Sequence, residues 1–301
     1  STTSTEPAST VAPSAATAAT ATPATATPAA SPTDATTVNF PDQALESAVR
    51  QALGKGPNDP LTKNDLATLT VFKPENLGIS DFSGIENAVN LTTLYLDENR
   101  ITDLSPLSDL TNLTEIGLSS NQISDLSPIA SLTNLTVLSL DKNQISDIIP
   151  LASLTNLKSL YLHDNWITDM SPLSSLTKLE TLHLNENQIT DIGPLSSLTN
   201  LEQLWLRGNT ISDLSPLQSL TKLFHLNLTH NNISDITYLA NLTNLKWLRL
   251  MDNKITDIST LSSLTNLEVL YLNDNQITDL SPVESLPNLT TLEFDGNPIN
   301  D

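Results

Sequence analysis

From Leu91 onward, apolar and polar positions follow one fixed schedule. The unit reads LxxLxLxxNxI[ST]DLSPLxxLTN and returns every 22 residues, ten times, without an insertion. Asn99, Asn121, Asn143, Asn165, Asn187, Asn209, Asn231, Asn253, Asn275 and Asn297 mark the phase, and an aspartate follows four residues after each, from Asp103 to Asp301. A period of this length predicts a solenoid: one coil cannot bury its own apolar face, so coils stack on one another. The LxL alternation predicts a short strand with its leucines turned inward, and successive strands pair in parallel into one sheet. The asparagine has both donors and acceptors, which suits a buried ladder from coil to coil. The DLSPL segment is too short and proline-rich for a long α-helix; it predicts a 3₁₀ turn on the opposite, convex side, capped by the aspartate.

Upstream the pattern changes twice. Residues 66–90 read as a degenerate first repeat, in which Ile79, Asp81 and Ile85 of LGISDFSGI hold the phase. Residues 38–65 read as an α-helical cap over the open end of the array. FPDQALESAVRQALG places Leu45, Ala48, Val49, Ala52 and Leu53 on one helical face, with Pro41 at the start and Gly54 at the stop. Thr62 with Asp65 resembles a capping box opening a second short helix. Residues 1–37 are almost entirely Ser, Thr, Ala and Pro, with no leucine and no aromatic. Such a stretch cannot bury enough surface to offset its chain entropy and reads as a disordered linker.

The strict repeat LTNLxxLxLxxNxIxDLSPL resembles the internalin type of bacterial leucine-rich repeat protein, and FPDQALESAVRQALGKGPNDPLTKNDLATLT resembles the helical cap of that family. The resemblance covers residues 38–301. It implies a leucine-rich repeat solenoid: a curved parallel β-sheet on the concave side, 3₁₀ and turn segments on the convex side, and a small α-helical N-terminal cap. It also implies a secreted or surface-displayed protein that grips a receptor with its concave sheet. Members of the family usually continue into an immunoglobulin-like module; the last repeat here ends at Asp301 before its LSPL half.

Charge narrows the partner class. Asp and Glu number 34 against 13 Lys and Arg, a formal net charge of −21. Phosphate backbones and anionic membrane surfaces both require clustered cations, so neither nucleic acid nor membrane insertion is expected. There is no cysteine, hence no disulfide framework and no thiolate chemistry. No GxSxG, P-loop, HExxH or GxGxxG occurs, and the reading is a monomeric, non-enzymatic protein with no cofactor.

Counting places from the first Leu of each repeat, side chains at places 3, 5, 7, 8 and 10 are expected to be accessible on or beside the concave face, because places 4 and 6 face the core. All three tryptophans (Trp166, Trp205, Trp247) and all four histidines (His163, His183, His225, His230) fall at those places. Tyr161, Tyr271, Arg207, Arg249 and Met251 join them, and the expected result is one continuous aromatic and cationic surface over repeats four to nine. Such a surface suits a protein receptor, since Trp, Tyr and Arg dominate contact energies. Aromatic platforms flanked by Asp, Asn and Arg also suit carbohydrate, and a structural spacer of the cell envelope is the third reading. His163, His183 and Asp141 supply too few converging ligands for zinc, and the aspartate column is read as capping rather than as a calcium ladder.

Overall fold

The computed structural model describes residues 36–299. The expected linker lies outside that range except at its end, where Thr36 and Thr37 are ordered. Thr37 forms an antiparallel bridge with Thr62, and the Val38 amide donates to the Leu61 carbonyl at 2.7 Å. The cap thus begins earlier than residue 38, because backbone pairing needs no leucine to announce it.

Helix α1 (Gln43–Leu53) is fixed at both ends. Asp42 caps it, one carboxylate oxygen accepting from the Ala44 and Leu45 amides at 2.9 and 3.2 Å. The other oxygen accepts from Ser80 at 2.9 Å and ties the helix to the first coil. Gly54 ends it at φ 64°. Leu45 and Val49 are buried and Ala48 and Leu53 partly so, while Ala52, expected on the same face, is exposed. Helix α2 (Lys63–Leu66) opens with the expected Thr62–Asp65 capping box. Lys55 pairs with Asp65 at 2.8 Å and, with the Thr62 bonds, holds that carboxyl down at about 2.

Among the described residues, eleven parallel strands follow in sequence order. They are β1 (Val71–Phe72), β2 (Thr93–Tyr95), β3 (Glu115–Gly117), β4 (Val137–Ser139), β5 (Ser159–Tyr161), β6 (Thr181–His183), β7 (Gln203–Trp205), β8 (His225–Asn227), β9 (Trp247–Arg249), β10 (Val269–Tyr271) and β11 (Thr291–Glu293). From β2 onward every strand covers places 3 to 5 of its repeat, and each pair is in register at a separation of 22 residues. The core is a stack of identical layers. In the coil that starts at Leu157, the side chains of Leu157, Leu160, Leu162, Ile167, Met170, Leu173 and Leu176 are all buried. Full burial of each such side chain is worth about 1.5–3 kcal/mol.

Asparagine holds these layers in phase. Asn165 Nδ2 donates to the carbonyls of Leu140 in the coil before, and of Leu162 and His163 in its own, at 3.0–3.3 Å. Its Oδ1 accepts from the Ile145 amide of the preceding coil at 3.0 Å. The same pattern recurs from Asn99 to Asn275. The residue just before each ladder asparagine has positive φ in all ten coils, from Glu98 (57°) to Gly296 (81°), and only Gly208 and Gly296 are glycine. Each of the others carries a backbone cost of order 1–2 kcal/mol. The bend is held by the next coil: the Asp164 amide, for example, donates to the Asn185 carbonyl at 2.9 Å.

On the opposite side each coil makes a short 3₁₀ turn, such as Ser171–Ser175. The aspartate stands one residue ahead of the cap position. Asp169 Oδ1 accepts from the Ser171 amide and Oδ2 from its hydroxyl, both at 2.8 Å. That backbone bond holds the Asp169 carboxyl below its ordinary range. Tyr238 and Thr260 replace the usual proline, yet Thr237–Asn241 and Ser259–Ser263 keep the 3₁₀ form, so proline assists the turn without being required. In the ninth coil the corresponding residues form one turn of α-helix, α3 (Ser281–Glu284).

Asn165→Ala strands one buried amide and three carbonyl contacts. It is expected to lower the free energy of unfolding by about 3 kcal/mol or more, measured by urea denaturation. Asp169→Ala, on the solvent side of the coil, is expected to cost far less in the same assay.

Candidate binding surface

Strands β5 to β10 turn places 3 and 5 outward, and exact register converts these into columns. Place 5 runs Tyr161, His183, Trp205, Asn227, Arg249, Tyr271; place 3 runs Ser159, Thr181, Gln203, His225, Trp247, Val269. Tyr161 meets His183 edge-on at 4.7 Å between ring centroids, and His183 lies 3.8 Å from Trp205. At the next strand the place-5 residue is Asn227, too small to continue the stack. The stack therefore steps sideways: Trp205 packs on His225 at 4.4 Å, and His225 on Trp247 at 5.8 Å. Arg249 resumes the first column, its guanidinium 5.3 Å from the Tyr271 ring centroid.

The edge of the sheet at place 7 has a second duty. Asp141 Oδ1 accepts from the His163 amide at 2.7 Å, and Asn185 Oδ1 from the Arg207 amide at 2.8 Å, each reaching across to the next coil. The His163 ring rests against the Asn185 carbonyl, its Nδ1 at 3.3 Å. Arg207 pairs with Glu186 at 3.4 Å. A Cβ at Gly208 would lie 2.5 Å from Glu186 Oε2, a contact that the flexible end of that side chain can relieve by turning aside. Met251 sits half-buried at the same place two coils further on.

Three expectations need correction. His183 was expected to be accessible; it is only 7% exposed, enclosed by Tyr161 and Trp205, and supports the surface from beneath. Trp166 is 53% exposed but makes no ring contact among the described residues, so it stands outside the continuous stack. Phe224, at place 2, was missed. It packs edge-on against Trp247 at 5.9 Å, extending the aromatic surface past the strand start. A signal existed: the other nine residues at place 2 are Thr, Lys or Glu.

Burial sets the electrostatics. It pushes His183 down to about 3, helped by the charges of His225 and His163. It pushes His225 down to about 4, helped by Arg249. Both imidazoles are neutral at physiological pH and act as flat, weakly polar spacers between larger rings. Burial also raises Asp141 to about 6, against the opposing His163 amide bond and charge. Among the described residues, no three His, Asp or Glu side chains converge on a point that could hold a metal ion. No described helix is long and apolar enough to cross a membrane.

Comparison with known proteins gives a consistent picture. The family model for leucine-rich repeats in two copies matches residues 89–131, 133–175, 177–219, 243–282 and 265–301, and the model for a single leucine-rich repeat matches 219–236. Among solved structures, the internalin InlF of Listeria monocytogenes is 37% identical over 87% of this chain and 91% of its own, with a TM-score of 0.62. Internalin C2 of the same organism is 36% identical over 85% of this chain and 94% of its own, with a TM-score of 0.53. The functional domain of InlJ, also from Listeria monocytogenes, is 28% identical over 87% of this chain and 61% of its own, with a TM-score of 0.73. No curated protein sequence matches the chain.

The buried histidines give the stack a pH signature. Their folded values lie below the ordinary 6.5, so the folded state binds these protons less tightly than the unfolded chain. Their contribution is full above pH 6.5 and is lost as pH falls through about 4 and then about 3. Asp141 works in the opposite sense: its contribution is full below 3.8 and lost as pH rises through about 6. His183→Gln combined with His225→Gln should therefore flatten the acid-side fall in urea stability. The expected change in slope is up to about 1.4 kcal/mol per pH unit for each histidine removed. An unchanged slope between wild type and the double variant would show that the imidazoles are not buried as described.

Proposed function

The chain belongs to the internalin-type leucine-rich repeat proteins, and on that basis we propose that it is a non-enzymatic binding module that recognises a protein partner through the sheet face of repeats four to nine. The observation that carries this reading is the composition of that face. Its outward strand positions and place 7, from Ser159 to Asn273, contain no Asp or Glu, although the chain has 34 of them. A partner seated on those positions covers no carboxylate at its centre; the acidic residues begin at the neighbouring place 8, with Asp164, Glu186, Asp252 and Asp274, and form one rim of the contact.

In this reading Trp205 and Trp247 are the anchors, held upright by His183 and His225. Tyr161, Tyr271 and Met251 add apolar area, and Arg207 and Arg249 meet carboxylates of the partner. Trp166, with His163 beside the rim, makes a separate outer contact. The protein works outside the cell or on its surface, as a monomer, and holds its partner without transforming it.

The test is capture of partners from bacterial and host surface extracts on the immobilised chain, followed by affinity measurement with the protein so identified. Trp205→Ala with Trp247→Ala should weaken that affinity by about 2 kcal/mol or more, roughly thirtyfold, with an unchanged circular dichroism spectrum. Unchanged affinity in a folded double variant would remove the sheet face from consideration.

A further inference from the structure

Beside the strand starts of β8 and β9 lies an open groove of about 530 Å³, lined by Glu202, Lys222, Phe224, Asn244, Lys246 and Trp247. It lies on the flank, outside the columns proposed to seat a protein partner, and shares only Trp247 with them. From its chemistry we infer that it is a subsite for a neutral sugar, one or two pyranose rings in length.

The aromatic pair is the first argument. Phe224 and Trp247 stand at 65° to one another, so one ring offers a face and the other a wall. Phe224 is at a place where the remaining repeats carry Thr, Lys or Glu, and its side chain lies outside the buried core. The fold asks nothing of a phenyl ring here; the neighbouring coils close equally well around Glu202 and Lys246 at the same place. A half-buried flat apolar ring next to a second one suits the C–H face of a pyranose.

The rim is the second argument. Lys222 donates to Asn200 Oδ1 at 2.8 Å, which uses one of its three N–H groups. Asn244 donates to the Thr221 carbonyl at 2.8 Å, leaving its amide oxygen and a second N–H. The exposed carboxylate of Glu202 supplies acceptors only. Lys246 is matched by Glu268 at 2.9 Å, and Lys222 offsets Glu202, so the rim is close to electroneutral in a molecule of net charge −21. A polyanion or polycation gains nothing from such a rim. A sugar hydroxyl, which donates and accepts at once, finds both kinds of partner around an aromatic floor. The groove falls within the roughly 300–1,000 Å³ typical of small-ligand sites.

The experiment is a titration of the full chain with glucose, galactose, N-acetylglucosamine and their disaccharides, followed by tryptophan fluorescence and by amide shifts. The expected result is a saturable response to at least one of them in the millimolar range, with amide shifts centred on Phe224 and Trp247. Phe224→Ala and, independently, Lys222→Met should each weaken it at least tenfold with the thermal midpoint maintained, while Ile149→Ser on the far side leaves it unchanged. A linear, non-saturating response to every sugar overturns the assignment, as does a response that survives Phe224→Ala, or saturation by poly-glutamate peptide in their place. The titration needs no protein partner, so its failure leaves the protein-binding reading untouched, and the reverse also holds.

Discussion

One amide side chain per coil governs this structure. Each ladder asparagine closes backbone groups in its own coil and in the one before, at a depth where water cannot substitute. The set of bonds works only if the next asparagine arrives at the same point of the following coil. A single inserted residue between two asparagines would leave a buried amide and several carbonyls without partners. The constant spacing of the array is therefore a consequence of hydrogen bonding, and the leucine layers follow its phase.

That rigidity is what makes a binding surface from scattered residues. Tyr161 and Trp247 are 86 residues apart in sequence yet belong to one run of touching rings, because each coil returns the chain to the same lateral position. The same rigidity limits what variable positions are free to do. Asp141 and Asn185 spend a carboxylate or amide oxygen on the backbone of the next coil, so chemical variety at place 7 is partly structural. The bend before each asparagine is likewise tolerated by eight non-glycine residues because the neighbouring coil accepts its hydrogen bond. What is left for recognition is a narrow strip of outward side chains, and over repeats four to nine that strip is aromatic, cationic and free of carboxylates.

The periodicity of Leu, Asn and Asp was enough to assign the solenoid, the parallel sheet, the 3₁₀ side and the columns, because each follows from local geometry repeated at one spacing. The ends of α1 and the capping box of α2 were legible for the same reason: Gly54, Thr62 and Asp65 act within one turn of themselves. The tertiary structure decided which members of a column touch and which are covered. Asn227 is shorter than its neighbours, so the stack crosses to His225, and a side-chain volume in the next coil settles the direction of Trp205. His183 disappears beneath two larger rings, Trp166 meets no ring among the described residues, and Phe224 matters only because Trp247 lies diagonally across from it. A repeat fixes who the neighbours are; how they pack depends on the sizes of all of them together, and no single coil contains that information.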